Sequence, residues 1–365
     1  MGSLDNISVK GFKSIREMNL DLSSLNVLIG ANGAGKSNFI SLFTLLNRIV
    51  SNQLQVFVAK SGGADTLLYF GHAHTEQIKI FLKFGANGYK AVLTSTESDS
   101  LIFEREQCTF LNSSRYANPY VESLGEGHSE TKLTEAAPNR KVPRYVYSAM
   151  MGWKVYHFHD TSDSAKVRKS GDINDNHHLR ADAANLAAFL NRLRIQYPTH
   201  YEIVVKTIRM VAPFFEDFIL RPNPLNEETI RLEWREVNSD AYMNAMALSD
   251  GTLRFICLTT LLLQPTQLQP STIVIDEPEL GLHPFAISLL SSLIKKVSSQ
   301  RQVIVSTQSV PLVNQFDPED LIIVDREDGQ SVFKRVEPKK LESWMGEYSL
   351  GELWEKNLLG GRPNK

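Results

Sequence analysis

Cysteine is nearly absent. Only Cys108 and Cys257 occur in 365 residues, which excludes a disulfide framework or a four-cysteine zinc site and suits a reducing compartment. Long apolar runs are missing too: the longest, residues 255–263, reads FICLTTLLL, far short of the roughly 20 residues a membrane-spanning helix needs. The opening residues lack a basic start followed by an apolar signal region, and Asn6 stands where a myristoylation motif needs Ser or Thr. The expectation is a cytoplasmic protein with no membrane partner. Neither sign of charge dominates, since 39 Lys+Arg against 41 Asp+Glu leave −2. Coating nucleic acid by bulk charge is thereby excluded, and any such contact must be local. Heptads and internal repeats are also lacking, so no long coiled coil is expected. What remains is an ordinary globular composition with enough chain for about two domains.

Strand and helix signals alternate along that chain. Residues 7–9, 18–22 and 25–29 read as short strands, separated first by a polar turn at 10–13; the third is a continuous apolar run suited to burial on both faces. Phe39, Ile40, Phe43, Leu46 and Val50 then recur at helical spacing. Short alternating strands return between 77 and 110, with Gly85-Ala-Asn-Gly88 as a hairpin turn. Residues 112–144 are polar and read as an irregular excursion. Two helices are expected within 180–215, the second stopped by Pro213. A strand pair at 218–220 and 229–236 leads to a helix over 251–263. Buried-strand runs at 272–275 and 303–305 enclose a helix opened by Pro284, and a last strand covers 321–324. Such alternation predicts a largely parallel sheet.

Two motifs carry chemistry. Gly30-Ala-Asn-Gly-Ala-Gly35-Lys36-Ser37 fits G-x-x-x-x-G-K-[ST] without mismatch. Glycines let successive N–H groups turn toward phosphate oxygens, Lys36 adds charge near the β- and γ-phosphates, and the Ser37 hydroxyl suits Mg²⁺. Asn32, Gly33, Ala34, Gly35, Lys36, Ser37 and Asn38 are the expected nucleotide-binding run, aided by the positive end of the following helix. The second motif is Asp276-Glu277-Pro278 after an apolar run. Alone it is no more than a strand ending in a solvated turn. With a phosphate loop upstream, Asp276 suits the Mg²⁺ shell and Glu277 suits polarisation of an attacking water.

In this order the motifs resemble the ABC-type ATPase heads of SMC, RecF and OLD-like proteins, often grouped with AAA-type ATPases. Residues 7–15 (ISVKGFKSI) resemble the strand and turn that open such heads, and GANGAGKSN their Walker A loop. Ala247-Leu-Ser249-Asp-Gly251-Thr-Leu-Arg254 is similar to the ABC signature, with LSDGT in place of LSGGQ. Residues 276–284 (DEPELGLHP) resemble Walker B running into the D-loop of the OLD-like branch. A Ser-Asp-Gly before an apolar helix is also a good N-cap; its position before Walker B favours the signature. The likeness is strong over about 5–50 and 245–310 and thin between. Residues 179–190 resemble the helical lobe of the RecF/OLD-like subset, and 348–354 with 359–361 resemble the tail of stand-alone bacterial ATPases. The run after Gln308 is too short for a fused Toprim nuclease.

The resemblance implies an α/β P-loop NTPase head with a mixed sheet, an antiparallel β subdomain and an inserted helical lobe. The implied division is a discontinuous nucleotide-binding lobe (1–110 and 265–340), an inserted region with helical lobe and signature helix (111–264), and a tail packed on the body (341–365). ATP and Mg²⁺ are the implied cofactors. Ser249 and Gly251 would contact the γ-phosphate held by a second copy, giving a homodimer across ATP. Gln308 stands where a switch histidine belongs; it can sense a γ-phosphate but cannot take up a proton. The Q-loop glutamine stays open among Gln53, Gln55 and Gln77. The implied function is ATP hydrolysis that regulates or loads a nucleic-acid-acting partner in DNA repair or phage defence, the protein partner being a nuclease or a toxin. The alternative is a nucleotide-gated scaffold of little turnover restraining a toxin or effector. A transporter subunit and an intrinsic nuclease are less favoured.

Three weaker signals are set aside. His157, His159, Asp160, Asp163, His177 and His178 fit no zinc spacing well. Lys166, Arg168, Lys169, Arg192 and Arg194 are basic clusters whose ordinary role is a solvated face, although a local nucleic-acid groove remains open. Trp344 and Trp354, with Leu350 and Leu353, are expected to pack.

Overall fold

The computed structural model describes residues 2–111, 118–341, 344 and 347–361. The chain runs β1 (Asn6–Phe12), β2 (Ile15–Asp21), β3 (Leu25–Ile29), α1 (Lys36–Val50), α2 (Leu54–Lys60), β4 (Gln77–Phe84), β5 (Asn87–Ser95), β6 (Leu101–Phe110), β7 (Tyr120–Gly125), α3 (Leu133–Ala136), α4 (Lys141–Met151) and β8 (Trp153–Tyr156). It continues through β9 (Gly171–Asp172), α5 (Leu186–Gln196), α6 (Pro198–Val211), β10 (Phe215–Ile219), β11 (Pro222–Asn223), β12 (Asn226–Ile230), β13 (Glu233–Glu236), β14 (Tyr242–Asn244) and α7 (Asp250–Leu263). The last elements are β15 (Thr272–Asp276), α8 (Pro284–Ser298), β16 (Gln302–Thr307), α9 (Val310–Val313), β17 (Leu321–Glu327), β18 (Gln330–Arg335) and α10 (Leu350–Glu355). Two compact units result. The first comprises Met1–Val155, Ser271–Val274 and Arg301–Lys365; the second comprises Tyr156–Pro270 and Ile275–Gln300.

The first unit holds two kinds of sheet. An antiparallel one has the order β2-β1-β4-β5-β6-β7, and its strands alternate buried and exposed residues, as in β4 with Ile78, Ile80, Leu82 and Phe84 inward. The other has the order β18-β17-β3-β16-β15-β8, with β3 parallel to both β16 and β17. All five residues of β3 are buried, the pattern of a strand covered on both faces. Helix α1 fills the core with Phe39, Phe43 and Leu46, and Trp153 joins it through ring contacts to Phe43 and Phe84 at 5.5 and 5.8 Å. Each such fully buried large side chain contributes about 1.5–3 kcal/mol.

The excursion expected over 112–144 is corrected: residues 112–117 lie outside the described residues, but β7, α3 and the start of α4 occupy the rest. A few well-placed apolar residues, Leu124, Leu133 and Val146, are buried there, and a polar anchor does what density of hydrophobes does elsewhere. Glu106 of β6 is fully buried and accepts hydrogen bonds from Tyr89 Oη (2.7 Å), the Lys132 amide (2.9 Å) and Thr131 Oγ1. Burial and the neighbouring Glu106 carboxyl together push the Tyr89 phenol well above its ordinary pKa. Glu106→Ala strands three donors in the interior and is expected to cost about 3 kcal/mol of unfolding free energy. Urea denaturation measures it, and a loss below about 1 kcal/mol contradicts this role.

Other boundaries also move. The strand read over 229–236 is two, β12 and β13, lying in different three-stranded sheets. Strand β1 extends through Phe12, so the turn falls at Lys13 and Ser14. Helix α2, helix α4 and strand β18 had no clear signal. In the tail Leu350, Leu353 and Trp354 are buried while Trp344 stays 44% exposed; residues 342–343, 345–346 and 362–365 lie outside the described residues. No described helix is long and apolar enough to cross a membrane.

The second unit is helical with two small sheets, β10-β13-β14 and β11-β12-β9. Helix α7 is buried at every residue from Leu253 to Leu263, as a helix apolar on all sides must be. Phe215, Phe218 and Trp234 form an aromatic cluster with ring centroids 4.7–6.0 Å apart.

Candidate functional site

Helix α1 begins without a cap. No side chain caps its start, and its first turn carries no acidic residue, so nothing within the helix offsets the positive end of its dipole. The chain enters through Gly33 (φ 79°) and Gly35 (φ 121°), left-handed conformations that favour glycine. A Cβ on Gly35 would lie 2.0 Å from Ser331 Oγ, whereas one on Gly33 would meet nothing within 4 Å. Asn32, Gly33 and Ser37 are exposed, Asn38 is half-buried and Ala34, Gly35 and Lys36 are buried. Lys36 Nζ donates to the carbonyls of Gly30 (2.6 Å) and Ala31 (3.1 Å), bracing the loop from inside.

Several residues outside the motif hold this loop from behind. Ser331 Oγ donates to the Ala34 carbonyl at 2.6 Å and lies 2.6 Å from Ser14 Oγ, which in turn accepts from Asn38 Nδ2. Arg326 Nη1 donates to the Gly33 carbonyl at 3.2 Å, and the Gly361 carbonyl accepts from the Ala31 amide at 2.8 Å. Lys13, with its pKa lowered by burial, donates to Ser41 Oγ at 2.7 Å. Lys13 and Ser14 lie within the opening GFKSI, Asn38 within the expected nucleotide-binding run and Gly361 within the tail resemblance, whereas Arg326 and Ser331 have no sequence signal. Strand β16 pairs in register with β3, Thr307 opposite Ile29. Gln308 therefore leaves the sheet beside Gly30, and the first unit brings it to the same strand ends as the phosphate loop.

In the second unit, Asp276 ends β15 and Glu277 follows with φ 42°. A left-handed glutamate is a costly conformation of the kind found at functional sites. The histidines set aside earlier flank this pair: His159 Nε2 is 2.8 Å from the Asp276 carbonyl oxygen, and His157 Nδ1 is 3.8 Å from Asp276 Oδ2. Burial lowers the His157 pKa, with Asp276 opposing. Their signal was the polar run directly after β8.

The signature segment lies in the same unit. Ser249 caps α7, its Oγ accepting from the Thr252 amide at 3.2 Å, so the capping reading of this serine holds in the structure. Arg254 is buried and donates to the carbonyls of Phe158 (2.8 Å), His159 (3.1 Å) and Leu280. It thereby ties the start of α7 to the segment after β8 and to the loop after Asp276-Glu277. Gly251 packs so closely that a Cβ would lie 2.2 Å from the Gly281 carbonyl oxygen. Gly251→Ala is expected to destabilise the protein by about 1–3 kcal/mol through this overlap. A thermal melt unchanged from wild type contradicts the close approach.

The basic clusters divide: Lys166, Lys169 and Arg194 are exposed, as a solvated face requires, and Arg168 and Arg192 are not. Arg168 is turned inward onto the carbonyls of Thr161 (2.7 Å) and Leu248 (3.2 Å) and onto Asp250 (2.8 Å), and Arg192 holds the carbonyls of Asn176 and His177. Of the three glutamines left open, Gln55 donates to the Leu101 and Ser129 carbonyls, both at 2.7 Å, Gln53 accepts from Arg48, and Gln77 donates to Glu104.

Comparison with known proteins agrees with the fold. The chain aligns over 94% of its length with 99% of a crystallised SMC head bound to the C-winged helix domain of ScpA, at 17% identity and TM-score 0.55. It aligns over 95% of its length with 99% of an SMC head domain from Pyrococcus furiosus, crystallised with an extended coiled coil and the C-terminal domain of ScpA, at 14% identity and TM-score 0.53. These likenesses show that the α/β fold is that of the SMC heads. A curated relative, phosphate import ATP-binding protein PstB 2 of Trichormus variabilis, is 30% identical over 77 residues, 21% of this chain and 25% of that protein. The chain thus spans about a quarter of that relative. A family profile described as "AAA domain, putative AbiEii toxin, Type IV TA system" matches residues 25–314. With most of its length matched, from the strand before the phosphate loop to the helix after Gln308, the chain belongs to this AAA-domain family.

Proposed function

We propose that the chain binds Mg-ATP at Gly30–Ser37, hydrolyses it, and uses the cycle to pair with a second copy and control a partner that acts on nucleic acid. The observation that carries this is the uncapped start of α1 beneath a left-handed glycine loop. Such a helix start suits an anion, and Lys36 adds a cation to it. By their chemistry the loop amides and Lys36 suit phosphates, and the Ser37 hydroxyl and the Asp276 carboxylate are each oxygen donors of the kind Mg²⁺ takes. When bound, the metal neutralises phosphate charge.

The remaining roles follow from the side chains themselves. Glu277 accepts a proton from water, and Gln308 reads the γ-phosphate by hydrogen bonding. Ser249 and Gly251, at the start of α7, would face the nucleotide of a second copy; the exposed position of Ser249 supports this. The SMC heads above were crystallised with ScpA domains, which supports a protein partner here as well, a nuclease or a toxin in repair or phage defence. The scaffold reading, with little turnover, draws on Gln308, an amide that cannot take up a proton. Phosphate release under multiple turnover, alone and with DNA or RNA, decides between them. Sustained release supports the enzyme. ATP binding without sustained release supports the scaffold.

A further inference from the structure

The outward face of the antiparallel sheet carries an aromatic ring enclosed by cations. Phe81 sits mid-strand on β4, and Lys79 and Lys83, two residues to either side, share its face. Lys90 lies directly opposite on β5, its Nζ 5.4 Å from the ring centroid. Beside the ring the backbone is bare: a Cβ on Gly88 would come within 3.1 Å of Phe81 Cε2 and 2.5 Å of Thr109 Oγ1. A depression of about 450 Å³ opens there, lined by Phe81, Lys83, Gly88, Lys90 and Thr109. Two other cations on this sheet are matched, Lys10 by Glu17 at 2.9 Å and Arg105 by Glu126 at 3.9 Å. Lys79, Lys83 and Lys90 are exposed and make no ion pair among the described residues.

We propose that this face binds single-stranded nucleic acid, with a base stacked on Phe81 and phosphates held by Lys79, Lys83 and Lys90. The lysines alone would suit any polyanion. The ring selects the single strand, because bases inside a duplex are stacked on one another, whereas an unpaired base offers its face to an aromatic side chain. The near-neutral chain permits this contact because the positive charge is local. None of these residues belongs to the phosphate loop or the Asp-Glu pair, so the proposal stands apart from ATP hydrolysis.

The test is fluorescence anisotropy of the full chain, without nucleotide, against a labelled oligothymidylate of about 20 nucleotides over a salt series. Phe81→Ala is expected to weaken binding by about 5- to 150-fold, while Phe81→Tyr, which keeps the ring, binds like wild type. The triple change Lys79→Gln, Lys83→Gln, Lys90→Gln weakens binding at low salt and flattens the salt slope by about 0.7 for each phosphate that is no longer neutralised. These changes lie on an exposed face, and unaltered melting curves confirm folding. Any of three results overturns the proposal: no binding at low salt, binding insensitive to Phe81→Ala, or displacement of the oligonucleotide by equal-length duplex or by polyglutamate as readily as by unlabelled oligothymidylate.

Discussion

Glu277→Gln is expected to lower steady-state phosphate release by about 10²–10⁴-fold while ATP still binds. The change keeps the shape of the side chain and removes its ability to accept a proton from water. Glu277 follows Asp276 at the end of a strand and holds φ 42°, a conformation the amide adopts as readily, so loss of turnover would report chemistry rather than folding. ATP binding with arrested turnover also predicts accumulation of a nucleotide-bound dimer, read by light scattering as a doubling of mass on adding Mg-ATP. A variant that releases phosphate at the wild-type rate removes Glu277 from the base role. Arrested turnover with an unchanged monomer mass removes the dimer and leaves the base.

The second large effect is on binding. Lys36→Ala is expected to weaken ATP binding by about 100-fold or more, the scale of losing a charge-assisted hydrogen bond in a buried site. Lys36 is 5% exposed, and its Nζ lies against two loop carbonyls at 2.6 and 3.1 Å. Alanine removes the cation the phosphates need and the brace that keeps the loop open. Titration calorimetry measures the loss, and a dissociation constant within about threefold of wild type contradicts the phosphate site. The two variants separate the steps: Lys36→Ala fails to bind, and Glu277→Gln binds and fails to turn over.

Much of the head was legible because its signals are local. Strand β3 is a five-residue apolar run found at its expected bounds, and α1 follows from the spacing of Phe39, Phe43 and Leu46. The loop between them is a motif in which each residue has a stated job. Pro284 opens α8 as expected. What escaped the sequence reading depends on long-range partners. Residues 112–144 read as irregular because few are large and apolar, yet in their described part a buried carboxylate, Glu106, gathers the chain through Thr131 and Lys132 and bonds Tyr89 as well. Ser331 and Arg326 brace the phosphate loop from far along the chain, and no local pattern announces such a bond. Arg168 read as a surface charge because side-chain direction is invisible in sequence; the fold turns it onto backbone carbonyls. His157 and His159 fit no zinc spacing in the sequence, and the fold sets both beside Asp276.

The most direct measurement is amide hydrogen exchange of the wild-type chain with and without Mg-ATP. In the proposed cycle, phosphate fills the uncapped start of α1. Exchange in residues 32–39 should therefore slow markedly on adding Mg-ATP, and Lys36→Ala should abolish the change. Tight ATP binding that leaves these amides exchanging at their free rate would contradict it.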